Sequence, residues 1–137
     1  MDKNRYLIQL SEGPQTDFGR RDFSGQSHQQ RVFSAIWMLE GEVNSGGFAH
    51  YLDSEDSEAP ELIAFSTVAL KAIGAFKCAD IVDRALALSP QRDQPEVAQA
   101  LDGLDAEFYA YPDNLTDLLY TYVAANPDVF GESPGDV

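Results

Sequence analysis

Four side chains near the middle of the sequence could together bind a divalent metal ion. They are Glu40, Glu42, His50 and Asp53. His50 and Asp53 are three residues apart, so they would share one face of a helix, and carboxylates with an imidazole suit several divalent ions. The only other histidine, His28, is distant in sequence. Because acidic residues are so frequent in this chain, such a cluster is a weak signal, and we predict no metal, no cofactor and no catalytic residue.

Two further features could support chemistry. Cys78 is the single cysteine, and it falls on the apolar face of a predicted helix, which is typical of an inert core thiol. Gly46 and Gly47 precede a predicted helix, and glycine-rich turns at helix N-termini can bind anions. Their surroundings are acidic and no lysine follows them, unlike in a phosphate-binding P-loop. We therefore interpret the two glycines as a structural turn.

Carboxylates are the most abundant charged groups, and they are unevenly distributed. The 137 residues include 23 Asp and Glu against 9 Lys and Arg, for a net charge of −14. Residues 1–34 have a net charge of +1, and residues 35–137 have a net charge of −15. This charge opposes direct binding to nucleic acid or to an anionic membrane. It favours a basic protein as the partner.

Acids on neighbouring helical turns could imitate the phosphates of DNA. Side chains three or four residues apart lie about 5–6 Å from each other on a helix, comparable with the roughly 6–7 Å between phosphates along one strand. Two such pairs are Asp93 with Glu96 and Asp102 with Asp105. The predicted partner-binding surface consists of Asp53, Glu55, Asp56, Glu58, Glu61, Asp93, Glu96, Asp102, Asp105, Glu107, Asp113 and Asp117. From charge alone, a generic solubilising surface is the simpler interpretation.

The periodicity of apolar residues predicts the helices that carry these acids. Ser27 and Gln30 match a capping box in front of a helix over 28–43, on which Trp37 is a core anchor. Asn44 or Ser45 is expected to cap a short helix that follows the glycines. Further helices are predicted at about 60–74, 77–88, 95–111 and 114–125, the last of them capped at Asn114. The first of these is apolar almost all round, which predicts a central position in the core.

These elements predict an all-α fold with a single compact domain of five to seven helices. Residues 5–10 fit either a strand or a helix, so a short extended N-terminal segment is an open alternative. We expect residues 1–26 to form an arm or loop, residues 27–126 the helical core domain, and residues 127–137 a flexible tail from which Phe130 tucks back. A single cysteine, no signal-peptide pattern and no apolar run of about 20 residues predict a soluble, cytoplasmic protein.

The stretch from Leu39 to Leu52 resembles the signature of a family of small bacterial helical domains. In that family a helix ending in Glu-x-Asn-(Asn/Ser)-Gly-Gly-Phe leads into a short segment with an aromatic pair. The matching residues here are Glu42, Asn44, Gly46, Gly47 and Phe48. Residues 69–75 and 79–88 are also similar, so the resemblance covers about residues 27–125. One member of this family is named for acting as a DNA mimic protein.

The resemblance implies an all-α fold and a non-enzymatic role, and it allows a homodimer. For the DNA mimic member it implies binding to DNA-binding proteins through an acidic face. His50 stands where many members carry glutamine. We therefore predict a DNA mimic that inhibits a basic DNA-binding protein. The alternative is an immunity-type or regulatory protein that neutralises a basic toxin or enzyme, because complementary charge raises association rates. A metal-dependent enzyme is the third hypothesis.

Overall fold

The computed structural model describes residues 2–11, 23–55 and 57–131. Within these ranges the chain forms seven α-helices, two short 3₁₀ turns and no strand, so the all-α prediction is confirmed. None of these helices combines the length and the apolar character needed to cross a membrane. The helices are α1 Lys3–Ser11, α2 His28–Leu52, α3 Ala59–Ala72, α4 Phe76–Leu88, α5 Pro95–Tyr109, α6 Leu115–Ala124 and α7 Pro127–Phe130.

Two helices begin at the local caps that the sequence predicts. At the start of α2, the Ser27 hydroxyl accepts from the Gln30 N–H at 3.2 Å, and the Gln30 side chain accepts from the Ser27 N–H at 2.9 Å. At the start of α6, the Asn114 side chain accepts from the Asp117 N–H at 3.1 Å. Each bond satisfies a backbone donor that the first helical turn leaves without a partner.

The central helix of the core is α2, so the prediction that α3 would occupy this position is wrong. α2 packs against α3, α5 and α7, whereas α3 packs against α2 and α4. The outer face of α3 is solvent-exposed, with Val68 49% exposed. This face includes Ala64 and Ala72, whose small apolar side chains cost little when they contact water. Apolar composition therefore overstated the burial of α3.

The N-terminal residues form a helix that belongs to the core, not an extended segment. The side chains of Tyr6, Leu7 and Leu10 are buried in the same cluster as the residues of α2. α1 packs against α6, where the Tyr6 and Tyr120 rings meet edge to face with centroids 5.7 Å apart. Lys3 adds an ion pair to Asp117 at 3.1 Å. Residues 12–22 of the predicted arm lie outside the described residues.

At the other end of the chain, Pro127 begins α7 and does not simply terminate α6. Proline suits the first helical position because its fixed φ and missing N–H cost nothing there. Phe130 is 2% exposed and its ring centroid lies 6.0 Å from that of Phe33, which confirms that it tucks back onto the core. Residues 132–137 of the predicted tail lie outside the described residues. The domain boundaries after residues 26 and 126 stay predictions, although helices on both outer sides add buried side chains to this core.

Candidate partner-binding surface

The predicted turn at Gly46 and Gly47 is a sharp corner inside α2. Both residues leave helical geometry, with φ and ψ of −162° and 16° at Gly46 and 78° and −175° at Gly47. The positive φ of Gly47 is a conformation that residues with a side chain rarely adopt. Phe48 follows directly and is fully buried, and its ring centroid lies 5.8 Å from that of Phe108. The corner and its aromatic anchor are therefore as predicted.

The helical segment after the corner, residues 47–52, is capped from a distant helix. The prediction that Asn44 or Ser45 caps it is wrong, because Asn44 donates to the Tyr111 hydroxyl at 3.0 Å and Ser45 donates back into the preceding turn at 2.7 Å. The cap is Asp105 on α5, which accepts from the Phe48 N–H at 2.8 Å across 57 positions of sequence. A carboxylate at a helix N-terminus satisfies a backbone donor and complements the helix dipole.

The environment of Asp105 reflects this internal role. Its carboxylate is partly buried, and burial raises the pKa of Asp105, with a further rise from the neighbouring Asp102 carboxylate. The Phe48 N–H acts in the opposite direction and lowers that pKa. A Cβ atom on Gly47 would collide with the Asp105 carboxylate. The corner and Asp105 therefore form one packed unit.

Two tyrosines at the end of α5 tie that helix to α2. The Tyr109 hydroxyl donates to the Val43 carbonyl at 2.7 Å. The Tyr111 hydroxyl accepts from Asn44 and donates to Glu40 Oε2 at 3.1 Å. Tyr111 is the one non-glycine residue in the described part of the chain with a positive φ, 47°. This conformation is uncommon for a bulky residue, and the bonds to Asn44 and Glu40 hold it in place.

Asp113 provides a second cap from a distance. Its Oδ2 atom accepts from the Cys78 N–H at 2.8 Å, in the first turn of α4. The Cys78 thiol is fully buried. This burial raises the pKa of Cys78 to about 11, and the negative charge of Asp113 also acts to raise it. The thiol is therefore neutral at physiological pH, and its predicted place in the core is confirmed.

The twelve predicted partner-binding acids fall into two groups. Asp56 lies outside the described residues. Six bond to groups of this chain: Asp53, Glu58, Asp105, Glu107, Asp113 and Asp117. Five are exposed, with neither a hydrogen bond nor an ion pair to any other described residue: Glu55, Glu61, Asp93, Glu96 and Asp102. The partner-binding role of each stays a prediction, and the second group has the carboxylates that are free to contact another molecule.

Arginines neutralise part of the acidic surface. Arg84 forms a bidentate pair with Glu107 at 2.8 and 3.2 Å and also contacts Asp80 at 3.1 Å. Its guanidinium lowers the pKa of Glu107. Arg92 contacts Asp53 at 2.7 Å. These pairs are solvent-exposed, so each contributes little to stability, but each lowers the local negative charge.

Two loops that carry acids meet at one end of the helical bundle. The loop from α2 to α3 contains Asp53, the loop from α4 to α5 contains Arg92, and their ion pair joins the loops. Asp53 and Asp93 also line one cavity of about 370 Å³. Glu61 and Glu96 lie in the first turns of α3 and α5, which begin at these loops. We call this region, formed by Asp53, Glu55, Glu58, Glu61, Asp93 and Glu96, the acidic end.

Only one of the two predicted phosphate-like pairs lies on a single helix, and one of its two carboxylates is already bonded within the chain. Asp93 precedes α5, so it does not share a helix with Glu96. Asp102 and Asp105 do share a face of α5, but the Asp105 carboxylate bonds to Phe48 and only Asp102 is exposed. At 3.6 residues per turn, Glu96 and Asp102 point about 120° apart around the α5 axis. Any charge pattern that imitates DNA is therefore made between loops and helix ends, not along one helix.

The four candidate metal ligands have other partners. Glu42 Oε2 lies 2.6 Å from His50 Nε2 across the corner, Glu40 accepts from Tyr111, and Asp53 pairs with Arg92. Across residues 2–11, 23–55 and 57–131, no three histidine, cysteine or acidic side chains are grouped closely enough to hold a metal ion.

A groove that the sequence did not reveal lies between α1, α2 and α6. Its volume is about 270 Å³, and its lining includes Leu7, Ile8, Trp37, Glu40, Gly41 and Thr116. Trp37 stacks on Phe33 with centroids 5.4 Å apart, as a core anchor does, but it also faces this groove. α1 and α6 are at opposite ends of the sequence, so no local pattern links them. The one local signal is Gly41, a glycine in the middle of a strongly patterned helix.

The helices, the corner and the surface define an acidic all-helical domain without a recognisable catalytic centre among the described residues. The model of the DMP19-like protein family matches residues 24–126. This is well over half of the chain, so the chain belongs to the DMP19-like family. It is a DNA mimic family and not a known enzyme family. A comparison with curated proteins and one with solved structures found no match.

The family match confirms that the chain is related to the family that its sequence was predicted to resemble. The matched residues, 24–126, agree closely with the predicted 27–125. The signature motif at 42–48 stays a prediction, and the structure gives its residues physical roles. Asn44 donates to the Tyr111 hydroxyl, Gly47 leaves space for the Asp105 carboxylate, and the Phe48 N–H donates to that carboxylate.

Proposed function

We propose that this protein is a DNA mimic that binds a basic DNA-binding protein and competes with DNA for it. The observation that carries the proposal is a concentration of six carboxylates at one end of a member of a DNA mimic family, four of which (Glu55, Glu61, Asp93 and Glu96) bond to no other described residue. The acidic end has six acids and one base, Arg92. Complementary charge of this kind steers association and raises its rate.

The acidic end is a better contact surface than the rest of the predicted set. Asp105 and Asp113 are caps, and Glu107 and Asp117 form ion pairs within the chain. Binding through those four groups would break internal contacts before it made new ones. Glu55, Glu61, Asp93 and Glu96 have no such bonds to lose. Asp56 lies between two residues of the acidic end in sequence, and we include it in the proposed surface.

A homodimer and a cytoplasmic location stay predictions of this proposal. The face around Phe76, which is 65% exposed, is the surface best suited to self-association. It includes Lys77 and Arg84, two of the four bases after residue 34. Two copies that each carry a charge of −14 would repel each other least where bases are present.

The test compares two triple variants that remove the same charge. One replaces Glu55, Glu61 and Glu96 by Gln, at the acidic end. The matched control replaces Asp80, Asp83 and Asp128 by Asn, none of which belongs to the predicted partner-binding surface. Asp83 and Asp128 are exposed acids with no partner among the described residues, and Asp80 is exposed and contacts Arg84. Immobilised protein is incubated with bacterial lysate, captured DNA-binding proteins are released with duplex DNA, and the affinity of each purified partner is measured against salt.

We expect the wild-type protein to capture DNA-binding proteins that duplex DNA displaces. The acidic-end variant should bind at least ~10-fold more weakly, with a shallower salt dependence, and the control variant should bind within about threefold of wild type. Capture of no DNA-binding protein, or capture that DNA does not displace, would overturn the proposal. A captured basic toxin or enzyme that ignores DNA would instead support the immunity-type alternative. Equal losses in the two variants would refute the acidic end as the contact site.

A further inference from the structure

The groove between α1, α2 and α6 has the size and lining of a site for one side chain. Its volume of about 270 Å³ is just below the range typical of drug-sized ligand pockets. Apolar surface comes from Ile8, which is 41% exposed although it is large and apolar, and from Trp37. Among the described residues that line it, only Glu40 carries a charge.

The Glu40 carboxylate in this groove has one hydrogen bond and no cationic partner among the described residues. Oε2 accepts from the Tyr111 hydroxyl at 3.1 Å, which fixes the orientation of the side chain. No base of the described chain forms an ion pair with it, and Lys3 on α1 pairs with Asp117. A partly buried carboxylate without a cationic partner is electrostatically unfavourable, and a positive group entering the groove would relieve that cost.

Gly41 keeps the groove open. Glycine in a helix interior is less stable than alanine by roughly 0.5–1 kcal/mol. At Gly46 and Gly47 that cost has an internal reason, since a Cβ would meet His50 or Asp105. At Gly41 a Cβ would meet nothing within 4 Å, and the residue has ordinary helical geometry. Nothing within the described chain requires glycine there, and the missing side chain leaves the helix surface beside Glu40 open to the groove.

We propose that this groove receives a lysine or arginine side chain of the basic partner, with the cation against Glu40 and the apolar stem against Trp37 and Ile8. Long basic side chains combine these two parts, and tryptophan is the aromatic residue that attracts cations most strongly. This inference rests on the proposed function, because it assigns a second contact to the same partner. The groove lies on the α1–α6 side of the molecule, so it would fix the orientation of a protein that the acidic end attracts.

The test uses Trp37 as the reporter, because it is the only tryptophan in the chain. The folded full-length protein is titrated with N-acetyl-arginine amide and N-acetyl-lysine amide, and with N-acetyl-citrulline amide as an uncharged analogue of arginine. Fluorescence and the NMR signal of the indole N–H are followed. Glu40→Gln removes the charge and keeps an acceptor for Tyr111. Gly41→Leu fills the groove, and Gly103→Leu is its control, since a Cβ at Gly103 also meets nothing within 4 Å.

A saturable response to the two cationic amides but not to the citrulline amide is expected. Glu40→Gln and Gly41→Leu should weaken it at least ~5-fold, and Gly103→Leu should leave it unchanged. An equal response to citrulline, or an unchanged response in a folded Gly41→Leu variant, would overturn the inference. The two proposals can be refuted separately. If the Trp37 signals do not change in a protein that still captures DNA-binding proteins, only the proposal for the groove is refuted. If the Trp37 signals respond in a protein that captures no DNA-binding protein, the DNA mimic proposal is refuted and the groove is still a site for basic side chains.

Discussion

Two constraints meet at the α-carbon of Gly47. The backbone has a φ of 78°, and a Cβ at this position would collide with the Asp105 carboxylate. Either constraint alone would favour glycine, and together they leave no other residue a comfortable fit. The collision is with a side chain held by the Phe48 N–H, so moving it aside would also break the cap.

Gly47→Ala is expected to lower the free energy of unfolding by roughly 2 kcal/mol or more, from backbone strain together with a weakened cap. Urea denaturation followed by circular dichroism measures this. Gly103→Ala is the matched control, because its Cβ points into open space in α5. It should raise stability by about 0.5–1 kcal/mol. Equal effects of the two substitutions would contradict the geometry described for the corner.

The raised pKa of Asp105 predicts a specific pH dependence. A folded state that raises the pKa of an acid holds its proton more tightly than the unfolded state does. The resulting stabilisation is complete below the unfolded pKa of aspartate, about 3.9, and it is lost as the pH rises through the folded pKa. Ionised Asp105 therefore costs stability near neutral pH, through burial and through Asp102.

Asp105→Asn keeps an oxygen acceptor for the Phe48 N–H but has no proton to lose. The stability of this variant relative to wild type should rise as the pH increases above the unfolded pKa of aspartate, about 3.9. Urea denaturation of both proteins at matched pH values tests this, since the other acids titrate in both and largely cancel. Asp105→Ala, which loses the cap, should be less stable than Asp105→Asn by about 1 kcal/mol. A relative stability that falls with pH would show that ionised Asp105 stabilises the corner.

At the scale of the elements, the sequence predicts helices better than it predicts their ends and neighbours. Ser27 and Asn114 could be predicted as caps from the sequence because each side chain bonds to a backbone N–H only three residues away, so the pattern is local. Asp105 and Asp113 cap across 57 and 35 positions, and no local pattern marks such a bond. The expected caps at Asn44 and Ser45 failed because a tertiary contact replaced the local one.

The same limit applies to the surface elements. Counting charges located the acidic part of the chain, residues 35–137, but it could not show that Asp105 and Asp113 are structural or that Arg92 joins two loops. The burial of α3 was overestimated because its exposed face also includes apolar residues, among them Ala64, Val68 and Ala72. Trp37 was assigned to the core, and its second role in the groove depends on α1 and α6, which are brought together only by the fold.

At the scale of the whole molecule, negative charge is the dominant constraint on stability. The net charge is −14, and Arg84 and Arg92 already form ion pairs. The remaining carboxylates repel one another, which favours expansion of the chain. At the acidic end this repulsion is concentrated in two loops and two helix N-termini, where favourable helix dipoles offset part of it.

Salt should therefore stabilise the free protein. Screening shortens the range of repulsion from about 10 Å at 0.1 M to about 3 Å at 1 M ionic strength, so the thermal midpoint should rise steadily with NaCl. The variant with Gln at positions 55, 61 and 96 should have a higher thermal midpoint in low salt, and its midpoint should rise less as NaCl is added. Differential scanning calorimetry measures both. A midpoint that falls with salt would mean that the ion pairs outweigh the repulsion.

The cap that α5 provides to the corner also sets an order of events in folding. Residues 47–52 are too few to hold a helix alone in water, and their cap lies 57 positions downstream on a helix that must first form and dock. The chain therefore has to assemble α2 and α5 before it can close the bend between them. We therefore expect this contact to form after the folding transition state, so that its loss in Asp105→Ala would speed unfolding and leave the rate of folding almost unchanged.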